Sequence, residues 1–262
     1  LVRHGIHTAI LSNYGIEGHV SEYKTKYGPV THYPRGLTPY SEDVFTLYHN
    51  EHRAQAPHLP HAIMTLYDVW VYNKWQADIP VISWVPLDHI TLPPDVAAFL
   101  KRPNVTPVAM APHGQRQLER AGIDSVYIPH AIDTNVFKRT EKITLPDGSK
   151  VATREMFGIS NDAFLISMVA ANKANGLVHR KAWSENLAAL SIFLKEHPDA
   201  HVYLHTDPAP FTGGFDIGMM LQSLGVNRDQ VTIANRDKLR TGYTQQELAA
   251  IYTASDVLLA PS

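Results

Sequence analysis

Short apolar runs alternate along the chain with polar loops and longer amphipathic segments. An apolar run of about four to eight residues between turn residues is typical of a buried strand, whereas an apolar stripe at helical spacing predicts a helix. In the first half of the chain, the strands predicted from this pattern are 8–12, 62–66, 81–85, 106–110 and 125–128. The helices predicted there are 41–55, 94–100 and 114–121.

The second half of the chain repeats this rhythm. Its predicted strands are 164–170, 201–205, 230–233 and 256–260, and its predicted helices are 181–196, 215–224 and 244–254. Thr244, with Glu247 three residues on, has the signature of a capping box at the start of the last helix. In the first half, Ser41 predicts a helix start because two acidic residues follow it in what would be the first turn. Gly122 predicts a helix end.

Strands that alternate with helices predict parallel sheets joined by right-handed crossovers. Two such series fit an α/β chain of two Rossmann-like domains. We predict the domains at 1–140 and 141–262. The stretch 137–154 separates them, because it is charged, contains the turn sequence Pro146-Asp147-Gly148 and has little helical periodicity.

Composition narrows the class of protein. The 262 residues include 44% hydrophobic and 18% charged residues, which is typical of a packed globular chain and not of a disordered one. The net charge of -2 gives no reason to expect nucleic acid as a partner. The absence of cysteine excludes disulfides and thiolate metal sites, and it fits a cytoplasmic protein. No apolar run reaches the roughly 20 residues that an integral membrane segment needs.

Three segments of the chain are similar, in order and spacing, to segments of a known family. They are VYIPHAIDTNVF at 126–137, the stretch 166–190 with Arg180 and Lys181 ahead of a long helix, and YTASDVLLAPS at 252–262. Together they resemble the retaining GT-B glycosyltransferases of the group 1, or family four, type. Two positions depart from the family pattern: Ala131 stands where glycine is usual, and Asn172 stands where arginine is common.

The resemblance implies a GT-B fold, with an acceptor-side first domain and a nucleotide-sugar-binding second domain. It implies transfer of a hexose from a UDP- or GDP-sugar to an acceptor hydroxyl, with retention of configuration and no metal cofactor. In that family, a first strand precedes the segment matched by 1–12, and an acidic loop with a glutamate pair follows the segment matched up to Ser262. By this comparison the chain is truncated at both ends. A catalytically inactive binding module of the same fold and a GT-B epimerase remain as alternatives.

Arg180 and Lys181 lie at the start of the first predicted helix of the second domain. Cations at a helix start, together with its free N–H groups, stabilise the charge that develops on a diphosphate leaving group. The resemblance implies this phosphate role and places Asn172 in the same pocket, where it can donate a hydrogen bond but no charge. A solvated basic pair at a helix start is the alternative.

Asp88 and His89 follow the strand 81–85 at its carboxyl end, where α/β sheets bind ligands. The resemblance implies that this pair contacts the donor sugar and stabilises positive charge on its anomeric carbon. Thr206 and Asp207 follow the strand 201–205, in the loop that faces the nucleotide in the family. Asn235 follows the strand 230–233, where the backbone of the family meets the base. For each residue in this paragraph, the alternative to a role in ligand binding is a structural role in a loop or at a helix cap.

Histidine is frequent, with 15 residues in the chain. His49 with His52, and His58 with His61, have a spacing that can bind a transition metal. No acidic ligand set accompanies them, so we interpret them as surface histidines and predict no metal site. His130 either faces the cleft between the domains or makes a structural hydrogen bond. The loss of a first strand would leave an unpaired sheet edge, which makes a homodimer a hypothesis.

Overall fold

The structure, a computed structural model, describes residues 1–13, 18–144, 148–173, 179–209 and 213–260. The chain forms two compact units, Leu1–Ala131 (unit 1) and Ile132–Ser262 (unit 2). This division lies earlier than the predicted one after residue 140. The residues just after Ala131 associate with unit 2, since the Thr253 hydroxyl donates to the Lys138 carbonyl oxygen at 3.4 Å.

Unit 1 begins with a small three-stranded sheet in the order β1-β3-β2. Its strands are β1 (Ala9–Leu11), β2 (Ser21–Thr25) and β3 (Gly28–Tyr33). β1 pairs in parallel with β3, whereas β2 and β3 form an antiparallel hairpin. Gly28 follows the hairpin turn with a φ of +136°, a conformation that favours glycine. The apolar pattern predicts β1 but misses the hairpin, because β2 is exposed along most of its length.

The second sheet of unit 1 is parallel throughout, in the order β4-β5-β6-β7. Its strands are β4 (Ile63–Thr65), β5 (Val81–Val85), β6 (Val105–Ala109) and β7 (Val126–Tyr127). The α-helices of unit 1 are α1 (Phe45–Gln55), α2 (Pro94–Leu100) and α3 (Pro112–Arg120). Phe45, Val85, Phe99, Ala109 and Leu118 are buried together in the core of the unit. The predicted alternation of strands and helices is confirmed here.

Helix α1 begins later than the prediction from Ser41. Ser41 has a φ of +60°, and its hydroxyl oxygen accepts a hydrogen bond from the Gly36 N–H at 3.0 Å. The Asp43 carboxylate accepts from the Leu37 N–H at 2.9 Å. Both side chains therefore close the preceding loop, and Val44 occupies the N-cap position. The prediction of Ser41 as the cap is wrong, because a loop competes for the same side-chain oxygens.

Unit 2 opens with an antiparallel pair, β8 (Lys142–Thr144) and β9 (Lys150–Ala152), and the short helix α4 (Thr153–Met156). Its main sheet is parallel, in the order β12-β11-β10-β13. The strands are β10 (Phe164–Val169), β11 (Ala200–His205), β12 (Val231–Ile233) and β13 (Val257–Leu259). The remaining helices are α5 (Trp183–Glu196), α6 (Ile217–Ser223), α7 (Arg236–Thr241) and α8 (Gln245–Ala254).

Both faces of the main sheet of unit 2 are covered. Leu204 belongs to a core cluster with Trp183 and Leu187 of α5, whereas its neighbour Tyr203 packs in another cluster with Ile251 of α8. Successive side chains of a strand point to opposite faces, so β11 supplies both clusters. This burial on two faces explains the continuous apolar runs in the sequence.

The capping box of α8 is confirmed. The Glu247 N–H donates to the Thr244 hydroxyl oxygen at 3.2 Å, and the Thr244 N–H donates to the Glu247 carboxylate at 2.7 Å. Short 3₁₀ helices lie at Val2–His4, Val69–Val71 and Arg228–Gln230. Across the described part of the chain, no helix combines the length and apolarity needed to cross a bilayer.

Candidate functional site

The candidate residues of unit 2 follow strands of its main sheet. Asn172 comes after β10, Thr206 and Asp207 come directly after β11, and Asn235 comes after β12. Parallel strands end at one edge of a sheet, and α/β proteins bind ligands outside that edge. We call this side of the sheet, together with the residues just before α5, the carboxyl edge of unit 2.

Asn172 forms hydrogen bonds to two other positions near this edge, Asp207 and Phe215. Its amide nitrogen donates to the carbonyl oxygens of Asp207 at 3.1 Å and of Phe215 at 2.7 Å. Its amide oxygen accepts from the Phe215 N–H at 2.9 Å. The side chain is buried and both of its polar atoms are engaged. Asn172 therefore shapes the edge in this structure, and a hydrogen bond from it to a phosphate would replace one of these contacts.

Arg180 and Lys181 lie immediately before α5, with Arg180 exposed and Lys181 half-buried. Ala182, the next residue, has a φ of +46°, which is unusual for a residue with a Cβ atom. The helix start is anchored by Trp183, which is fully buried and donates from its indole nitrogen to the Ala171 carbonyl oxygen at 3.1 Å. The basic pair is thereby held beside the segment that carries Asn172.

Thr206 is 3% exposed, and within the described residues its hydroxyl has no hydrogen-bond partner. A buried hydroxyl without a partner is uncommon in folded proteins because burying an unpaired polar group is costly. Asp207 next to it is half-buried. Its carboxylate accepts from the Ala209 N–H at 3.1 Å and lies 3.3 Å from the Arg236 guanidinium.

Asn235 is the N-cap of α7. Its side-chain oxygen accepts from the Lys238 N–H at 2.8 Å, and the residue is exposed. The capping role, which was the alternative for this position, is therefore present in the structure. The predicted role of the backbone at this position is separate from the side chain and stays a prediction.

Three aromatic rings beside this edge carry no motif in the sequence. The Tyr203 hydroxyl lies 3.2 Å from Nδ1 of His205, and the His205 ring packs edge-on against Tyr243 at 4.6 Å. Burial raises the pKa of Tyr203 and lowers the pKa of His205, so both side chains are neutral at pH 7. Alternation along β11 places positions 203 and 205 on one face, which was the available sequence signal.

Asp88 and His89 lie in unit 1, in the loop that follows β5. The Asp88 side chain is 93% exposed, and its carboxylate lies 3.1 Å from Nδ1 of His89. Nε2 of His113, on α3, lies 3.0 Å from the His89 carbonyl oxygen. The two side chains are thus adjacent and exposed, and their predicted role at the donor sugar stays a prediction.

His130 also lies in unit 1 and is exposed. Its ring lies against the Trp84 ring, with 4.9 Å between the centroids. The Trp84 indole nitrogen donates to the Ile128 carbonyl oxygen at 2.8 Å. His130 thus has a packing contact in this structure.

The paired histidines are not simple surface residues. His49, His52 and His61 are half-buried, and Nε2 of His49 lies 2.9 Å from Nδ1 of His61. Burial lowers the pKa of His49 and of His52. Only His58 of the four is exposed, as predicted. Within the described ranges, no group of three or more histidine or acidic side chains is placed to hold a metal ion.

Sequence comparison gives no relative: no family model and no curated protein matches the chain. The fold does have solved counterparts. A glycosyltransferase from Rickettsia africae ESF-5 superposes with a TM-score of 0.55 at 14% identity, over 87% of this chain and 59% of that one. The chain therefore spans less than two thirds of the Rickettsia protein.

Two further structures are similar over more of the chain. The OtsA apo structure superposes with a TM-score of 0.56 at 11% identity, over 97% of this chain and 71% of that one. An E. coli trehalose-6-phosphate structure bound with UDP-2-fluoro glucose gives a TM-score of 0.54 at 11% identity, over the same two shares, 97% and 71%. These likenesses concern the fold, and the chain accordingly has the α/β fold of the GT-B glycosyltransferases, with two Rossmann-like units.

Proposed function

We propose that the protein acts in glycosyl transfer. It would move a hexose from a UDP- or GDP-sugar to an acceptor hydroxyl with retention of the anomeric configuration. Two observations support this proposal: the GT-B fold and the arrangement of the carboxyl edge of unit 2. One protein of this fold is bound with UDP-2-fluoro glucose, so nucleotide-sugars are the ligand class to test first.

The observation that carries the proposal is a chain of hydrogen bonds across the carboxyl edge. Trp183 bonds to Ala171, and the adjacent Asn172 bonds to Asp207. These hydrogen bonds hold two parts of unit 2, the start of α5 and the loop after β11, to the segment after β10. A diphosphate bound at the start of α5 would meet Arg180, Lys181 and the free N–H groups of the first helical turn. The basic pair alone would be a weaker argument, because exposed cations are common.

Thr206 is buried at the same edge, and its hydroxyl has no hydrogen-bond partner in the part of the chain that the structure describes. In the proposal, Thr206 and Asp207 face the nucleotide, and the backbone at Asn235 faces the base. The Asp207 carboxylate is already fixed by Arg236 and by the Ala209 N–H. A fixed acceptor suits recognition of a ligand hydroxyl or N–H, because little side-chain entropy remains to be lost on binding.

The proposed transfer step requires stabilisation of the negative charge on the leaving diphosphate. As the acceptor oxygen bonds to the anomeric carbon, the bond from that carbon to the diphosphate breaks, the diphosphate gains one negative charge and the acceptor hydroxyl releases its proton. Arg180, Lys181 and the N–H groups of α5 stabilise that charge, so the proposal needs no metal cofactor. Transfer is expected to continue at an unchanged rate in excess EDTA. A loss of activity restored by Mg²⁺ would contradict this part of the proposal.

Asp88 and His89 are proposed to act at the sugar. The Asp88 carboxylate would stabilise positive charge on the anomeric carbon, and His89, 3.1 Å away, would orient it. Asp88→Asn keeps the size of the side chain and removes its charge. We expect a loss of about 10²-fold or more in kcat with little change in nucleotide affinity. An unchanged kcat would remove Asp88 from the proposed site.

Calorimetry with UDP and GDP tests the phosphate site directly. The double variant Arg180→Ala/Lys181→Ala is expected to bind nucleotide at least about tenfold more weakly, because charge-assisted hydrogen bonds are lost. Lys195→Ala, at the opposite end of α5, removes a lysine from the same helix and serves as the control. No binding of either nucleotide at about 1 mM, or equal binding by both variants, would overturn the proposed donor site.

A nucleotide- or sugar-binding module without turnover is the second candidate. The exposure of Asp88 favours it, because a catalytic carboxylate is usually held by several donors, whereas this one is 93% exposed. Nucleotide binding without transfer to any of a panel of sugar acceptors would select this candidate. Donor hydrolysis measured in the same samples would select the enzyme.

A further inference from the structure

The loop that carries the proposed sugar-binding pair of unit 1 is anchored at both of its ends. Leu87 and Leu92, which are 8% and 7% exposed, belong to the core of unit 1. The four residues between them, 88–91, are exposed. We call residues 87–92 the Asp88 loop. The core therefore fixes where this loop begins and ends, whereas other contacts must fix the course of its four exposed residues.

Helix α3 lies beside the Asp88 loop. β5 and β6 are parallel neighbours in the sheet. The loop follows β5 and α3 follows β6, so both leave the sheet at the same edge. Gly114 of α3 is buried, and a Cβ atom at this position would lie 3.4 Å from Cβ of Leu87. The helix backbone therefore passes close to the loop, which brings the side chains of its first turns within reach of the carbonyl groups of the loop.

Two side chains of α3 hold two consecutive carbonyl groups of the loop. Nε2 of His113 lies 3.0 Å from the carbonyl oxygen of His89, and since a carbonyl only accepts, this nitrogen carries the proton and donates. Gln117 is 5% exposed. In the amide orientation that satisfies both of its polar groups, its nitrogen donates to the carbonyl oxygen of Ile90 and its oxygen accepts from Nη1 of Arg120 at 3.3 Å. The helix thus fixes the peptide groups on both sides of Ile90.

These contacts restrict the backbone around Asp88 without covering its side chain. On one side Leu87 is buried in the core, and on the other side the peptide group between His89 and Ile90 is held by His113. The Asp88 carboxylate belongs to a side chain that is 93% exposed, and it lies 3.1 Å from Nδ1 of His89. A carboxylate can thus be oriented through the backbone while it remains open to a ligand.

The hydrogen bond from His113 is directed to a carbonyl group in an exposed stretch of the chain. A carbonyl group there can accept a hydrogen bond from water instead, so the replacement of water by His113 adds little to the free energy of folding. The same bond selects one orientation of the peptide group, which water does not do. Its main consequence is therefore the geometry of the loop. Gln117 differs, because its buried amide needs partners and its loss would also affect stability.

We propose that His113 is a positioning residue for Asp88, which acts by fixing the peptide group that follows His89. This inference rests on the proposed glycosyl transfer, in which Asp88 stabilises positive charge on the anomeric carbon. Without His113 the loop samples several orientations, and only some of them bring the carboxylate to the sugar. Because small displacements of a reacting group slow a reaction strongly, we expect His113→Ala to lower kcat about tenfold or more. Nucleotide affinity should stay the same, since the proposed phosphate site lies in unit 2.

The first test measures the motion of the Asp88 loop and needs no activity. Nuclear relaxation of the backbone nitrogens gives an order parameter for each amide, which is about 0.85 in rigid segments and below about 0.6 in flexible ones. We expect rigid values for residues 88–91 in the unaltered protein and in His113→Gln, whose amide nitrogen can take the place of Nε2, but flexible values in His113→Ala. Arg116→Ala, at an exposed position of the same helix, is the control. Flexible values in the unaltered protein, or unchanged values in His113→Ala, would overturn the proposal.

The second test is a double-mutant cycle for glycosyl transfer. If His113 acts through Asp88, His113→Ala should lower kcat about tenfold in the unaltered background and leave it unchanged in an Asp88→Asn background. His113→Gln should restore most of the loss, while KM for the donor changes little in each variant. An equal loss in both backgrounds would overturn the positioning role of His113 and leave the proposed transfer standing. No turnover by the unaltered protein would instead overturn the proposed transfer, and with it any catalytic role of Asp88 or His113.

Discussion

The same alternation of strands and helices gives different sheets in the two units. In unit 2, one parallel sheet runs through β12, β11, β10 and β13, and core side chains cover both of its faces. In unit 1, the strands are divided between a three-stranded sheet and a four-stranded sheet, whose edges line one groove. The apolar pattern specifies which segments are strands and helices, but it does not specify which strands pair with each other.

The candidate site residues also differ between the two units, in how far their side chains are held by the rest of the fold. Asn172 and Asp207 of unit 2 are tied into the scaffold by hydrogen bonds. Asp88 and His89 of unit 1 are exposed and contact each other. The side chains at the carboxyl edge of unit 2 are thus fixed by hydrogen bonds to the backbone and by an ion pair, whereas the Asp88 and His89 side chains of unit 1 contact each other in solvent. Four predictions test how far this contrast extends.

The largest effect is expected from Trp183→Ala. The side chain is fully buried in the core of unit 2, so its loss should lower the free energy of unfolding by about 3–5 kcal/mol. Trp70→Ala in unit 1 is the control, because Trp70 is 57% exposed. Denaturant unfolding followed by far-UV circular dichroism measures both. Similar losses for the two variants would mean that Trp183 does not anchor α5.

Asn172→Ala tests whether the carboxyl edge depends on its internal hydrogen bonds. The variant leaves the Phe215 N–H and two carbonyl groups without their partner, which should cost about 2 kcal/mol. His89→Ala in unit 1 should change stability by less than about 0.5 kcal/mol, since the residue is exposed. Chemical denaturation compares the two, and a cost at His89 equal to that at Asn172 would contradict the contrast between the units.

Thr244→Ala should have a smaller effect. Helix α8 of unit 2 starts with a capping box, whereas α1 of unit 1 starts without a side-chain cap. Loss of the Thr244 hydroxyl is expected to cost about 1 kcal/mol, and Thr244→Ser should restore most of it. Thermal unfolding of the three proteins gives the measurement. Equal destabilisation by alanine and serine would show that the methyl group, not the cap, is responsible.

The smallest effect is a dependence of stability on pH. Burial lowers the pKa of His201 and His205 in unit 2 below the value of the unfolded chain, which is about 6.5. Between the two pKa values the unfolded state binds more protons, so stability falls as the pH drops through about 6.5. Denaturation at several pH values should show this slope, and His205→Gln should make it less steep, since His201 and the half-buried His49 and His52 of unit 1 still contribute. A slope of the opposite sign would contradict the assigned direction.

The fold could be predicted from the sequence to a large extent. The strand Val81–Val85, the helix Pro94–Leu100 and the capping box at Thr244 are found as predicted. The hairpin in the small sheet was missed because β2 has no apolar face to reveal it. The prediction that Ser41 starts α1 was wrong because its hydroxyl closes the preceding loop instead of capping the helix.

The candidate site could be predicted only as a set of positions. That Asn172, Thr206 and Asn235 follow successive strands can be read from the sequence, and parallel pairing then places them at one edge. Their partners could not be predicted. Asn172 bonds to Phe215, 43 residues away, and only the folded loops bring them together. Tyr203 and His205 have no motif, and their shifted pKa values arise from burial.

By itself the sequence determined the class of fold, because periodicity and helix caps act between residues a few positions apart. The tertiary structure alone decided how the strands pair into sheets, which side chains hold the loops of the carboxyl edge and, among the described residues, which buried hydroxyls lack a partner. These features depend on contacts between distant parts of the chain.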